Sequence, residues 1–219
     1  SVKKVINTHF GIIPRNRGCN PTIWDILSSK KGGYTTYEVN ENIDLGKIIE
    51  QREIDYNNDV SSEQLYKLIL SESLLNYDKI IDNLTLDKLK FISPRKMANK
   101  YHSKDMPNDR YISWNWKTEF INRIYRSLKF GNYPTIRSVD FKDRIIELNP
   151  IKFGTDFKDK PGNFKKNRGF TRIFSVDGYV DVLNQDIQDP LKNIEQGKYS
   201  IPTNFKGTFF DDTNIWFKI

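Results

Sequence analysis

Residues 2–21 read Val2-Lys3-Lys4-Val5-Ile6-Asn7-Thr8-His9-Phe10-Gly11-Ile12-Ile13-Pro14-Arg15-Asn16-Arg17-Gly18-Cys19-Asn20-Pro21, and this stretch governs how the remainder is read. Val2 to Thr8 is predicted to be a short buried strand that ends in polar residues. From Phe10 to Pro21 the punctuation by Gly11, Pro14, Gly18 and Pro21 forbids regular structure and predicts a loop. Asn7 and His9 are two apart at the strand end, so their side chains share one face. They emerge where a strand of an open α/β sheet gives way to a loop, the usual ligand-binding edge of such sheets. An imidazole there can move protons near neutral pH, and a carboxamide can donate a hydrogen bond to a developing oxyanion. The plainer alternative is a satisfied polar strand end, and the short pattern alone favours it.

Working outward, a helix is predicted from Thr22 to Ser28, with Ile23, Ile26 and Leu27 on one face and Gly32-Gly33 as its stop. Tyr34 to Val39 alternates and reads as a strand, followed by a polar turn from Asn40 to Asp44 and a strand from Lys47 to Ile54. Ser61-Ser62-Glu63 begins a helix carrying Leu65, Ile69, Leu70 and Leu74 that runs to about Asn83. Strands separated by helical patterns imply an α/β sheet. From Thr85 to Asp109 the chain is polar and broken by Pro94 and Pro107. A helix follows over Thr118 to Leu128, then short strands over Thr135–Phe141, Arg144–Phe153, Gly169–Val176 and Tyr179–Leu183. Asp177-Gly178 predicts a two-residue hairpin, and the run of short strands predicts a small barrel. The resulting plan is an α/β segment over 1–90, a linker over 91–110, and a helix with a β-barrel-like module over 111–219.

The 219 residues include 37% apolar and 29% charged side chains, with aromatics at 13% supplying buried area, which describes a folded chain with abundant surface charge. A single cysteine, Cys19, excludes an internal disulfide framework and is read as a small packed residue. No apolar run is long enough to span a bilayer or serve as a signal peptide, so the expected location is cytoplasmic, with no membrane partner. The net charge of +7 points to an anionic partner such as a nucleic acid or a phosphorylated small molecule. A lysine- and asparagine-rich genome would produce the same balance.

Asn7-Thr8-His9, Gly11-Ile12-Ile13-Pro14, Arg17-Gly18 and Pro21 together resemble the signature loop of the formyltransferase superfamily. Downstream, Gly33-Tyr34-Thr35-Thr36 and Asn42-Ile43-Asp44-Leu45-Gly46-Lys47-Ile48-Ile49 resemble that family's second motif, whose Asp-x-Gly supplies the catalytic acid. Tyr111-Ile112-Ser113-Trp114, the helix bearing Arg123 and Arg126, Tyr133-Pro134-Thr135, Pro161-Gly162 and Val176 to Val180 resemble its C-terminal module. The resemblance implies a partial formyltransferase or Rossmann-like sheet followed by a small OB-like β-barrel. It implies transfer of a formyl group from N10-formyltetrahydrofolate to a primary amine without a metal, with Asn7, His9 and Asp44 as the catalytic set. It also places Ile43, Asp44 and Gly46 at the folate. Two departures accompany it. Phe10 stands where the family has proline or a small residue, and is expected to reshape the amine pocket. The family's sheet also has a nucleotide-binding-like half upstream of the Asn7 strand, which is expected to be missing.

The acceptor amine is read from Arg17, Gly18, Asn20, Pro21 and Trp24, which resemble enzymes acting on nucleotide-linked amino sugars. Trp24 is a candidate for stacking on a base or sugar ring, against the plainer reading of helix packing. The basic stretch Lys158, Lys160, Lys165, Lys166, Arg168 and Arg172, interleaved with Phe164 and Phe170, favours methionyl-tRNA instead, or is simply a solvated loop. A third alternative is a non-catalytic binding module. A homo-oligomer is compatible with all three.

Overall fold

The computed structural model describes residues 4–94, 106–133, 135–156, 159–183 and 187–192, and the backbone alone of 101–102, 208–210 and 216–218. The chain divides into two compact units, Ser1–Lys104 and Asp105–Ile219. The expectations for Val2, Lys3, Pro134 and Lys158 lie outside the described residues.

In the first unit, β1 (Ile6–His9), β3 (Gly32–Glu38) and β4 (Ile48–Ile54) form one sheet in the order β1-β3-β4, with both pairings antiparallel. The mixed α/β class is found. The parallel order of a Rossmann-like sheet is not seen among these strands, because the short turn after β3 sends the chain straight back alongside it. A two-residue parallel pairing joins β2 (Arg17–Gly18) to β5 (Tyr101–His102).

Register sorts the side chains of this sheet. Asn7 pairs with Tyr37, His9 with Thr35, and Thr35 with Gln51, so these five share one face. The opposite face carries Tyr34, which packs with Ile26, Ile54, Leu65 and Ile69 in an apolar cluster. Two helices cover that face: α1 (Pro21–Leu27) and α2 (Ser62–Leu74). Leu65 and Ile69 are fully buried, and each contributes about 1.5–3 kcal/mol by leaving water. Phe10 also turns to this side, its ring 4.8 Å from that of Tyr66. It therefore packs under the helices instead of reshaping a pocket beside His9, because side chains alternate along the chain as it leaves β1.

The serine cap is seen in full: Ser61 Oγ accepts from Gln64 N while Gln64 Oε1 accepts from Ser61 N. The helix stops at Leu74, and a separate α3 (Tyr77–Thr85) follows, where the pattern predicted one helix to Asn83. Asn76 breaks it, with its amide donating to Glu50 Oε1 of β4 at 3.0 Å. Gly32-Gly33 begins β3 rather than ending a helix. A Cβ at Gly33 would strike the carbonyl of Arg52 on the neighbouring strand, so close strand approach explains that glycine.

The second unit holds α4 (Thr118–Leu128), the ribbon β6-β7 (Ile136–Val139, Ile145–Leu148) and a four-stranded antiparallel sheet. That sheet runs β8-β11-β10-β9, from Pro150–Gly154, Tyr179–Leu183, Phe170–Phe174 and Phe164–Asn167. Strands β12 (Thr208–Phe210) and β13 (Trp216–Lys218) pair with each other. Among the described residues these pairings close no ring, so the barrel expected from the sequence is not formed by them. Arg144–Phe153 is two strands, parted at Asn149, with Pro150 at the first position of β8, where a missing N–H is tolerated. Within the stretch expected to be a linker, Ile92 bridges Ile48 and a short 3₁₀ turn spans Pro107–Arg110.

The two-residue hairpin lies at Arg168-Gly169, between paired Asn167 and Phe170, and Gly169 has φ 89°. Asp177-Gly178 instead sits in a four-residue loop between paired Phe174 and Tyr179. The reason is that Asp177 is occupied elsewhere. Its Oδ1 accepts from Thr118 N at 2.8 Å and Thr118 Oγ at 2.9 Å, capping α4 from a different element. Asp177→Ala is expected to lower stability by about 1–2 kcal/mol in urea denaturation, the usual loss for a removed cap. An unchanged midpoint would show that α4 needs no such acceptor.

Candidate active site

His9 ends β1 and is 7% exposed. Its Nε2 lies 3.0 Å from the main-chain carbonyl of Asn16, and its Nδ1 lies 3.6 Å from Asp44 Oδ2. A carbonyl can only accept, so the neutral ring carries its proton on Nε2 and turns its Nδ1 lone pair toward Asp44. Burial holds the imidazole below its ordinary value, opposed by the Asp44 charge and the Asn16 carbonyl. The ring is thus kept neutral, with two acceptors placed to receive its imidazolium form.

Asp44 is buried and reached through a left-handed backbone step, φ 52°, which aspartate tolerates. Its Oδ2 accepts from Gly18 N at 2.6 Å and its Oδ1 accepts from Tyr37 Oη–H at 2.8 Å. The same phenol oxygen accepts from Asn7 Nδ2 at 3.0 Å. Asn7, Tyr37, Asp44 and His9 therefore form one continuous polar chain across β1, β3 and the turn after β3. Burial raises the Tyr37 phenol above its ordinary value, so it stays protonated as the donor in this chain.

The loop beside this chain is pinned from below. Thr35 Oγ donates to Gly11 O at 2.8 Å and accepts from Ile13 N at 3.1 Å, while Gln51 Nε2 donates to Ile13 O at 2.8 Å. Gly11 packs on the imidazole: a Cβ there would sit 2.7 Å from His9 Nε2. Further along, Asn16 Nδ2 donates to Asp25 Oδ1 at 2.8 Å, and Arg15 Nε approaches the same oxygen at 3.6 Å. Asp25 belongs to α1 and is fully buried.

Among the residues expected at a substrate, Gly18 and Arg17 touch the Asp44 turn: Gly18 through its N–H and Arg17 by donating to Ile43 O at 3.0 Å. Asn20 is exposed and left-handed, φ 54°, and Pro21 opens α1. Ile43 is exposed. Gly46 is buried because any Cβ would overlap the carbonyl of Glu38, which explains it by packing. Trp24 is a correction. At 2% exposure its indole is enclosed by the first unit and offers no face for stacking. Tyr37, Asn16, Asp25 and Gln51 were not singled out by the sequence, and Thr35 entered only as part of the second motif. Only the strand register that sets Tyr37 opposite Asn7 reveals the first of them. Among the described residues no group of three or more His, Cys, Asp or Glu side chains is arranged to hold a metal, and no helix is long and apolar enough to cross a membrane.

Residues 1–77 match the family described as formyl transferase. Over these residues the chain is similar to that family. The chain is 30% identical over 149 residues to a methionyl-tRNA formyltransferase of Thermodesulfovibrio yellowstonii, covering 65% of this chain and 46% of that one. It is 29% identical over 155 residues to a dTDP-4-amino-4,6-dideoxyglucose formyltransferase of Mycobacterium bovis, covering 68% of this chain and 64% of that one. A solved 4-N formyltransferase from Francisella tularensis superposes with a TM-score of 0.57 at 25% identity, covering 64% of this chain and 59% of that one. The chain spans less than two thirds of the length of each of these formyltransferases.

Asp25 gives the site a measurable pH signature. Burial raises its carboxyl from 3.8 to about 7, opposed by Arg15 and the Asn16 amide and reinforced by Glu53. The folded state then holds a proton that the unfolded chain has released. The associated stability is complete below the unfolded value near 4 and is lost as pH rises through about 7. Asp25→Asn is therefore expected to gain on the wild type between pH 4.5 and 8, by on the order of 2–4 kcal/mol, as read from urea midpoints at both ends. A difference independent of pH would contradict the raised value.

Proposed function

We propose that this protein transfers a formyl group from N10-formyltetrahydrofolate to the primary amine of a nucleotide-linked amino sugar. The observation that carries this reading is the continuous chain from the Asn7 amide through Tyr37 and Asp44 to a buried, neutral His9. The names of the M. bovis and F. tularensis relatives support the acceptor class.

In this reading the neutral amine attacks the formyl carbon, and the carbonyl electron pair moves onto oxygen. Asn7 has a second amide N–H beyond the one given to Tyr37, and that hydrogen bonds the oxyanion. The amine proton passes to His9 Nδ1, directly or through a water, and Asp44 Oδ2 stabilises the resulting imidazolium. Collapse of the intermediate breaks the bond to N10, which takes the proton back from His9. The products are a formamide and tetrahydrofolate. The folate is assigned to the exposed Ile43 edge beside Asp44 and Gly46, and the sugar nucleotide to Arg17, Gly18, Asn20 and Pro21. No step requires a metal. The paired sheets of the second unit fit the finer reading of an OB-like module.

With the full-length protein, N10-formyltetrahydrofolate and dTDP-4-amino sugars, His9→Ala and Asp44→Asn are each expected to lower turnover by roughly 10²–10⁴, the range for general acid–base groups. Tyr37→Phe breaks the link from Asn7 to Asp44 and is expected to fall between those variants and the wild type. Wild-type rates in the first two would remove the assignment.

Methionyl-tRNA is the second reading, favoured by the T. yellowstonii relative and by exposed Lys160, Lys165, Lys166 and Arg168. Arg172 does not belong to that basic surface, since its guanidinium is paired with both carboxylate oxygens of Asp181 at 2.8 and 2.9 Å and stacks on Tyr179. This reading expects salt-dependent tRNA binding that weakens on charge reversal at Lys165 and Lys166. A gel shift indifferent to both would count against it.

A further inference from the structure

We infer that Asp25 is a positioning residue for His9: by holding the side chain of Asn16 it keeps the Asn16 carbonyl on Nε2 and leaves Nδ1 as the proton-accepting nitrogen. The inference rests on the reading of His9 as the base. It starts from Asn16, which is 5% exposed and left-handed, φ 52°. That backbone state directs its carbonyl to His9 Nε2, 3.0 Å away. Asparagine tolerates the state better than most residues but does not impose it. What fixes it is the side chain, whose Nδ2 donates to Asp25 Oδ1 at 2.8 Å.

The other anchors of the loop lie on either side of this residue. Thr35 and Gln51 hold Gly11 and Ile13, and Asp44 holds Gly18. Asn16 stands between them, and its own tie runs to α1. Arg15 is drawn the same way, with Nε 3.6 Å from Asp25 and Nη2 donating to Lys31 O at 2.6 Å. The charged groups facing Asp25 are thus Arg15 and, beyond it, Glu53 of β4.

A carboxylate is a costly choice at this position. Every residue of α1 from Thr22 to Leu27 is buried, so an apolar side chain would pack there without a desolvation penalty. A group retained against stability is best explained by what it orients. Here that is the carbonyl that selects the tautomer of His9. With Nε2 fixed as N–H, the lone pair on Nδ1 faces Asp44 Oδ2. The other tautomer would put the proton on Nδ1 and leave the ring unable to accept from the amine at that nitrogen.

Three variants separate positioning from general support. Asn16→Gly keeps the left-handed backbone accessible and removes the tie. Asp25→Leu removes the acceptor, and Asp25→Asn preserves an acceptor oxygen. The chain has two histidines, so a His102→Gln background leaves one imidazole to read by long-range ¹⁵N–¹H NMR. The expected result is a dominant Nε2–H tautomer in the parent and Asp25→Asn, and a mixture in Asn16→Gly and Asp25→Leu. In the full-length protein, Asn16→Gly is expected to lower kcat by about 10–100-fold with little change in KM, as for a misplaced catalytic group, while Asp25→Asn keeps most of the rate. Retention of the parental tautomer in Asn16→Gly overturns the inference, and it does so even if Asp25→Leu does not fold. The NMR comparison needs no turnover, so failure of the proposed transfer reaction and failure of this positioning role are read separately.

Discussion

The carboxylate of Asp44 is the interaction on which the site depends. It accepts from the main chain of Gly18 in one loop and from the phenol of Tyr37 in the central strand, and it faces the ring of His9. Three segments distant in sequence meet on two oxygen atoms in a place from which water is largely excluded. A hydrogen bond to a charged acceptor is worth about 1.5–3 kcal/mol, more than a neutral one. Removing that acceptor leaves a part-buried N–H and a buried phenol without it, and the loop is then tied to the turn by the exposed Arg17 contact to Ile43 O.

The sheet makes this meeting possible by being two-faced. On one side Tyr34 packs with Leu65, Ile69 and Ile26, and the apolar contacts fix the sheet against α1 and α2. On the other, Asn7, His9, Thr35, Tyr37 and Gln51 share a polar face. Antiparallel register sets Tyr37 directly opposite Asn7. A slip of one residue would send the phenol into the core and the imidazole under the helices. Packing energy on the apolar face is thus what keeps the polar face in register.

The second unit shows the same economy with its polar groups. Asp177, Thr118 and Ser175 form one knot that ends a strand and starts a helix, with Thr118 Oγ and Ser175 Oγ 2.6 Å apart. Trp114 is fully buried, and its indole N–H donates to Ser138 Oγ at 3.0 Å. Arg172 is likewise drawn into its own sheet by Asp181 and Tyr179, which takes it out of the basic surface its sequence neighbours create.

Local sequence alone determined the serine-capped helix at Ser61, the helix over Thr118–Leu128, the strand ends at Asn7 and His9, and the punctuated loop between Phe10 and Pro21. Each follows from spacing, caps or backbone limits within a few residues, and the signature around them was legible for the same reason. The chain could not announce the antiparallel order of β1, β3 and β4, the loop at Asp177, the burial of Trp24 or the turn of Phe10 toward Tyr66. Nor could it show that Tyr37 joins Asn7 to Asp44, or that Asp25 holds Asn16. Those relations join residues 7 to 59 positions apart. They exist only once burial has decided which polar groups must find one another, because a buried donor without an acceptor costs more than any local preference can offset.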